Sequence, residues 1–143
     1  MSSTPHTYRR RVAFSETDMA GVMHFSNYYR WMEEAEHDFW RSLGRSVWHF
    51  GDNHDISWPR VRTACEYYAP ARFDDEITVH TRLLKVGGKS LEYEFEFRRG
   101  DQRLARGETT CVCCEVRDDG FRSIAIPDEI RSLLTPHVAA CGK

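Results

Sequence analysis

The chain has 143 residues, enough for one domain that buries about two-thirds of the surface its unfolded chain exposes. Hydrophobic residues make up 41% and charged residues 29%, and the formal net charge of −2 gives no basic field to attract nucleic acid. No stretch approaches the roughly 20 apolar residues that cross a bilayer, and "MSSTPHTYRRR" lacks the apolar core of an export signal, so a cytoplasmic protein is expected.

"TYRRRVAF" is rich in Tyr, Val and Phe and reads as a first strand ending near Phe14, with "YRRRV" as its solvated start. A polar turn, "SETDMAG", follows. Tyr28, Met32, Ala35, Phe39 and Leu43 then recur every three to four residues, which predicts a helix from Asn27 to Leu43 with an apolar stripe. Ser26 or Asn27 is the expected N-cap and Gly44 the stop. Such a helix spans about 25 Å. Trp31 and Trp40 make it apolar on more than one side, so something should wrap it.

The segment "RSVWHFGDNHD" (Arg45 to Asp55) reads as the one long irregular piece. Its His49, Asp52, His54 and Asp55 lack helical ligand spacing, and no metal is expected there. Four strands are predicted next: Ile56 to Ala69, Glu76 to Val86, Ser90 to Gly100, and Arg103 to Val116. In the third, Leu91, Tyr93, Phe95 and Phe97 alternate with Glu92, Glu94, Glu96 and Arg98, which buries one face. "VGGKS" and "RGDQR" are hairpin connections, so their strands are antiparallel. Three of the five cysteines crowd into "CVCCEV", whose spacing does not suit zinc; they read as small buried thiols of a strand. "IPDEIRSLL" (Ile126 to Leu134) predicts a short closing helix with Pro127 in its first turn.

The order strand, long helix, four strands, short helix predicts a single α+β domain over residues 1–143. It consists of a five-stranded antiparallel sheet around one long helix.

The stretch "FSETDMAGVMHFSNYYRWMEEA", with "CEYYAPARFDDEITV" and "VGGKS" further on, resembles the 4-hydroxybenzoyl-CoA thioesterase family. The resemblance runs from about Tyr8 to Ile126. It implies the hotdog fold, in which the sheet curls around the long helix. It also implies a homodimer or homotetramer with active sites between subunits, and hydrolysis of an aromatic or short-chain acyl-CoA. No cofactor is implied, because coenzyme A belongs to the substrate. By the resemblance, Asp18 is the catalytic carboxylate, the backbone N–H of Phe25 holds the thioester oxygen, and Lys89 and Ser90 lie near the CoA phosphates and pantetheine arm. One branch of the family places a histidine seven residues after the Asp. Here that position is Phe25 and His24 precedes it, a departure that leaves the part of His24 open.

Thioester hydrolysis needs a nucleophile or base at the carbonyl carbon and positive potential at its oxygen. Asp18 fits the first need, by direct attack or by activating water. The start of the long helix fits the second, since its first N–H groups have no intrahelical partner. Gly21 lets the chain between them turn tightly. His24, Asn27 and Tyr28 are candidate pocket residues, with capping and core packing as the plainer readings. Asp18 likewise has a plain reading, as a turn residue. Glu33 and Glu34 are alternative helix carboxylates, and Arg60, Arg62, Arg72 and Arg82 are further phosphate candidates. Two other functions stay open: a hydratase or dehydratase built on His24 and Glu34, and a non-catalytic acyl-CoA binder.

Overall fold

The computed structural model describes residues 4–47, 49–50 and 55–139. Asp52 and His54 of the irregular segment lie outside them. Strand β1 is His6–Arg11, and a 3₁₀ turn at Phe14–Glu16 leads to helix α1, Ser26–Ser42. The strands after it are β2 (His49–Phe50), β3 (Asp55–Ser57), β4 (Arg60–Tyr67), β5 (Glu76–Val86), β6 (Ser90–Arg99), β7 (Gln102–Val112), β8 (Cys114–Arg117) and β9 (Gly120–Ser123). Helix α2 closes the order at Asp128–Leu134.

The domain is α+β. Five strands form one antiparallel sheet in the order β1-β5-β6-β7-β4, and a smaller sheet follows the order β2-β3-β8-β9. The smaller sheet is a difference from the sequence-based expectation. What reads as one strand from Ile56 to Ala69 breaks at Trp58–Pro59, because proline has no N–H to give a ladder. Its partner breaks opposite, at Cys113, whose N–H turns instead to the Lys89 carbonyl at 2.7 Å. The ladder therefore passes from β4–β7 into β3–β8 across one shared interruption.

The period of two in β6 is realised: Leu91, Tyr93, Phe95 and Phe97 are buried, against Ile77, Val79 and Leu83 of β5. The opposite face of the sheet carries an ion-pair lattice, in which Glu94 meets Arg106 at 2.7 Å and Arg82 at 3.7 Å. Thus Arg82 is taken, as is Arg62 by Glu108 at 3.2 Å. Helix α1 buries Tyr28, Trp31, Met32, Ala35, Phe39 and Trp40, so both indoles belong to the core. Gly44, at φ +82°, ends it as expected. The N-cap differs: it is Phe25, in helical conformation and without a side-chain cap. The cap is supplied from one residue earlier, since His24 Nδ1 accepts the Ser26 N–H at 3.2 Å. Cys111, Cys113 and Cys114 are all buried.

Candidate active site

Residues 12–25 cross from the end of β1 to the start of α1, and one side chain fixes their path. Glu16 is held on three sides. Its Oε1 accepts the Ala13 N–H at 2.9 Å, its Oε2 accepts the Trp31 indole N–H at 2.9 Å, and Arg10 pairs with it at 2.8 Å. The Arg10 guanidinium also lies 4.7 Å over the Trp31 ring and pairs with Glu34 at 2.8 Å. The backbone carbonyl of Glu16 accepts the His24 N–H at 2.8 Å and the Asn27 amide at 2.9 Å. Strand, loop and helix are thereby tied at a single residue.

From this anchor the chain makes a tight excursion. Thr17 and Met23 bridge its base, the Asp18 N–H donates to Val22 O at 2.9 Å, and Gly21 returns its N–H to Asp18 O at 2.9 Å. Gly21 has φ +81° with nothing within 4 Å of where a Cβ would stand, so it is the backbone angle that calls for glycine. The Asp18 carboxylate is exposed and turned over its own loop, with Oδ1 accepting the Ala20 N–H at 2.9 Å and the Val22 N–H at 3.4 Å. Oδ2 has no hydrogen-bond partner among the described residues.

At the start of α1 the donors are unequally engaged. Ser26 N–H goes to His24 Nδ1, Asn27 N–H to His24 O at 3.0 Å and Tyr28 N–H to Phe25 O at 3.2 Å. The Phe25 N–H alone of this group has no acceptor among the described residues. It sits at the positive pole of a 17-residue helix. The Phe25 ring is exposed and stacks on His24 at 4.6 Å.

The structure therefore brings Asp18, Gly21, His24, Phe25, Asn27 and Tyr28 to one end of the sheet. It gives several of them structural partners. His24 caps the helix and also meets Ser26 Oγ at 2.8 Å, Asn27 is committed to Glu16, and Tyr28 is buried between Tyr67 and Phe97. Lys89 and Ser90 lie elsewhere. They form the β5–β6 hairpin, pinned by Arg131 to the carbonyls of Gly87 and Gly88 at 2.9 and 3.2 Å. The Asp18 loop docks at the other end of β6, where Met23 N–H reaches Ala71 O and Arg99 reaches Pro70 O. The length of β6 separates the two groups within one chain by about 30 Å.

Sequence reading passed over Glu36. It is 1% exposed and pairs with Arg60, which also lies 3.6 Å from Glu33. Arg60 is thus neutralised. Burial pushes the Glu36 carboxyl up, while Arg60 and the Tyr93 hydroxyl draw it back. The signal was a charge on the apolar stripe, four residues after Met32 and three before Phe39.

Comparison with known proteins agrees with this architecture. Residues 12–134 match the thioesterase-like superfamily. The chain is 28% identical to a 1,4-dihydroxy-2-naphthoyl-CoA hydrolase of Synechocystis sp., over 75% of this chain and 79% of that protein. It is 25% identical to a 4-hydroxybenzoyl-CoA thioesterase of Pseudomonas sp., over 85% of this chain and 91% of that protein. Among solved structures, a gentisyl-coenzyme A thioesterase superposes with a TM-score of 0.74 at 31% identity, covering 87% of this chain and 98% of that one.

Proposed function

The chain belongs to the thioesterase-like superfamily and is a thioester hydrolase, and from that premise we propose that it cleaves an aromatic or short-chain acyl-CoA to free acid and coenzyme A, with Asp18 and the Phe25 N–H at the reacting thioester. The observation that carries this reading is the open donor at Phe25. Its neighbours' N–H groups are engaged, and it stands at a helix pole a few residues from a carboxylate with one uncommitted oxygen.

In the proposed step the thioester oxygen accepts the Phe25 N–H. As the carbonyl carbon becomes tetrahedral, the charge gathering on that oxygen is stabilised by the donor and the helix dipole, an effect worth about 10²–10³ in rate. Asp18 either attacks the carbon, giving a mixed anhydride that water then opens, or takes a proton from the attacking water. In both routes the thiolate of coenzyme A leaves and is protonated. The Glu16 anchor serves this chemistry by fixing the loop against α1. The aromatic preference draws on the names of the relatives, two of which act on hydroxylated aromatic acyl-CoAs.

We place the working unit at two copies. The Asp18 end and the Lys89 hairpin are a sheet's length apart in one chain, so a CoA that touches both needs the hairpin of a second copy. Among the described residues strand β4 is an unpaired edge with Val61 exposed, and it offers a surface for that copy.

The test is thiol release from a panel of aliphatic and aromatic acyl-CoAs by the wild type and Asp18→Asn. The variant keeps the shape of the turn and removes the charge, and its kcat should fall about 100-fold or more. Equal turnover by the two proteins would remove Asp18 from the reaction.

A further inference from the structure

His24 stands where the Asp18 loop joins α1, and its ring is committed at one nitrogen. Nδ1 accepts the Ser26 N–H at 3.2 Å and faces Ser26 Oγ at 2.8 Å. A backbone N–H can only donate, so Nδ1 offers its lone pair there and carries no proton. The Ser26 hydroxyl, facing the same lone pair, donates as well. In the neutral ring the proton therefore sits on Nε2, and the cap fixes the tautomer. Nε2 has no hydrogen-bond partner among the described residues, so the polar atom left over is a donor.

The cap also sets where that donor lies. Helical N–H groups point toward the start of the helix, and Phe25 already has helical angles, φ −57° and ψ −30°. A ring that closes on the Ser26 N–H occupies the space ahead of the helix, which the Phe25 N–H also faces. The Phe25 ring covers one face of the imidazole, at 4.6 Å with 29° between the planes. The backbone beneath is held too, since the His24 N–H donates to Glu16 O at 2.8 Å. Ring and Asp18 loop thus share one support. Two open donors, the Phe25 N–H and the His24 Nε2–H, stand on adjacent residues at the positive pole of α1.

We propose that His24 is a second donor to the thioester oxygen, its Nε2–H acting beside the Phe25 N–H as charge gathers there. The proposal rests on the reading of Phe25 as the thioester end. Chemistry favours the oxygen over the sulfur as the partner. A thiol ionises at about pH 8.5, so the thiolate of coenzyme A departs without a proton donor at its side. The tetrahedral oxyanion is far more basic, and a donor aimed at it strengthens as the charge develops. A neutral imidazole is enough for this, because it lends a hydrogen bond and keeps its proton. The ring begins and ends the cycle as the same tautomer.

Substitution separates the two nitrogens. His24→Asn puts an oxygen where Nδ1 was and keeps the cap as an Asx turn to the Ser26 N–H, while the distal donor is lost. His24→Gln keeps an N–H near the Nε2 position and gives up the cap. In thiol release from benzoyl-CoA, kcat of His24→Asn should fall about 100-fold, with KM and the urea midpoint near their wild-type values. His24→Gln should lose about 10-fold or less, although its urea midpoint drops. A structural role alone makes turnover follow stability, and that order overturns the proposal. Nitrogen NMR of the ring should show the proton on Nε2; finding it on Nδ1 is equally fatal. A further readout needs no turnover. A CoA analogue with a methylene between the sulfur and an isotope-labelled benzoyl carbonyl binds without being cleaved. Its carbonyl stretch should lie lower on the wild type than in water, and His24→Asn should give back part of that shift. A shift that His24→Asn leaves intact removes His24 alone, whereas a wild type that produces no shift removes the thioester from this end of the helix.

Discussion

The Trp31 indole N–H donates to Glu16 Oε2 at 2.9 Å, and that one contact joins the loop carrying Asp18 to the second turn of α1. Trp31 is fully buried, so its N–H has no water to turn to. Glu16→Ala removes the acceptor, takes from the Ala13 N–H its partner and leaves Arg10 with one of its two carboxylates, Glu34. The expected cost is about 2–3 kcal/mol of unfolding free energy, measured by urea titration. Glu16→Gln, which keeps an oxygen for the indole, should lose about half as much. A Glu16→Ala protein within about 0.5 kcal/mol of the wild type would mean that the anchor is dispensable.

The thiols supply a second prediction. Burial, with the Glu36 charge beside it, pushes the Cys111 thiol up to about 12, and burial pushes Cys113 up to about 11. Both are buried beyond contact with solvent. At pH 8 the reactive thiolate is then about one part in 10³ or fewer at each site. Iodoacetamide at pH 8 should leave both unmodified in the folded protein and label them in urea, as read by peptide mass spectrometry. Rapid native labelling of Cys111 would mean that this environment does not hold the thiol protonated.

How much of this was legible beforehand follows from the physics of each signal. Periodicity is local, so the α1 stripe, the alternation in β6, the bounds of β5 and the stop at Gly44 were all visible in the sequence. Strand order is not local. Nothing in the residues of β4 says that it pairs with β7 and stands at the edge, because that pairing is settled by what the sheet buries. The break at Pro59 was written in the sequence but outweighed by the apolar run on either side, and "DDG" before Phe121 was a hairpin signal passed over. At the site, the Asp18 turn was legible because glycine and aspartate mark it. The division of labour around it was not: His24 caps where Ser26 or Asn27 was expected to, and Glu16, which organises the whole loop, reads in sequence as one more surface acid. Glu36 and Arg60 were both present in the sequence, but only the fold shows that they pair.

Acid stability should show the hand of Asp75. Desolvation would raise its carboxyl, but the Arg72 N–H at 2.8 Å and Arg99 at 2.7 Å outweigh that and hold it below the ordinary carboxylate value. Below that value the unfolded chain binds a proton that the folded chain resists. The stabilising contribution is therefore complete above the ordinary carboxylate range, near pH 4, and is lost as pH falls through the depressed folded value. Asp75→Asn should leave a flatter acid limb in a plot of unfolding free energy against pH, with little change in shape above pH 6. Because Asp75 also braces the segment that receives Met23, an unaltered acid limb would imply that Arg99 is held by Pro70 O and Gln102 Oε1 without it.

The last prediction concerns the β4 edge. Val61 sits at a register shift between Arg60 and Arg62, 62% exposed, with Tyr67 farther along the same strand at 44%. An apolar side chain on an unpaired edge invites another strand, and a charge there is the usual protection against it. If a second copy pairs along β4 and brings its Lys89 hairpin toward the Asp18 end, Val61→Lys should place two like charges across the new seam. Sedimentation velocity should then move from a dimer or larger species to the 16.8 kDa monomer, while circular dichroism keeps the wild-type fold. Acyl-CoA turnover should fall with the association, and concentrating the variant should restore both together. A wild type that sediments as a monomer at full activity would confine the whole reaction to one chain, and would require Lys89 and Ser90 to act, if at all, about 30 Å from the thioester.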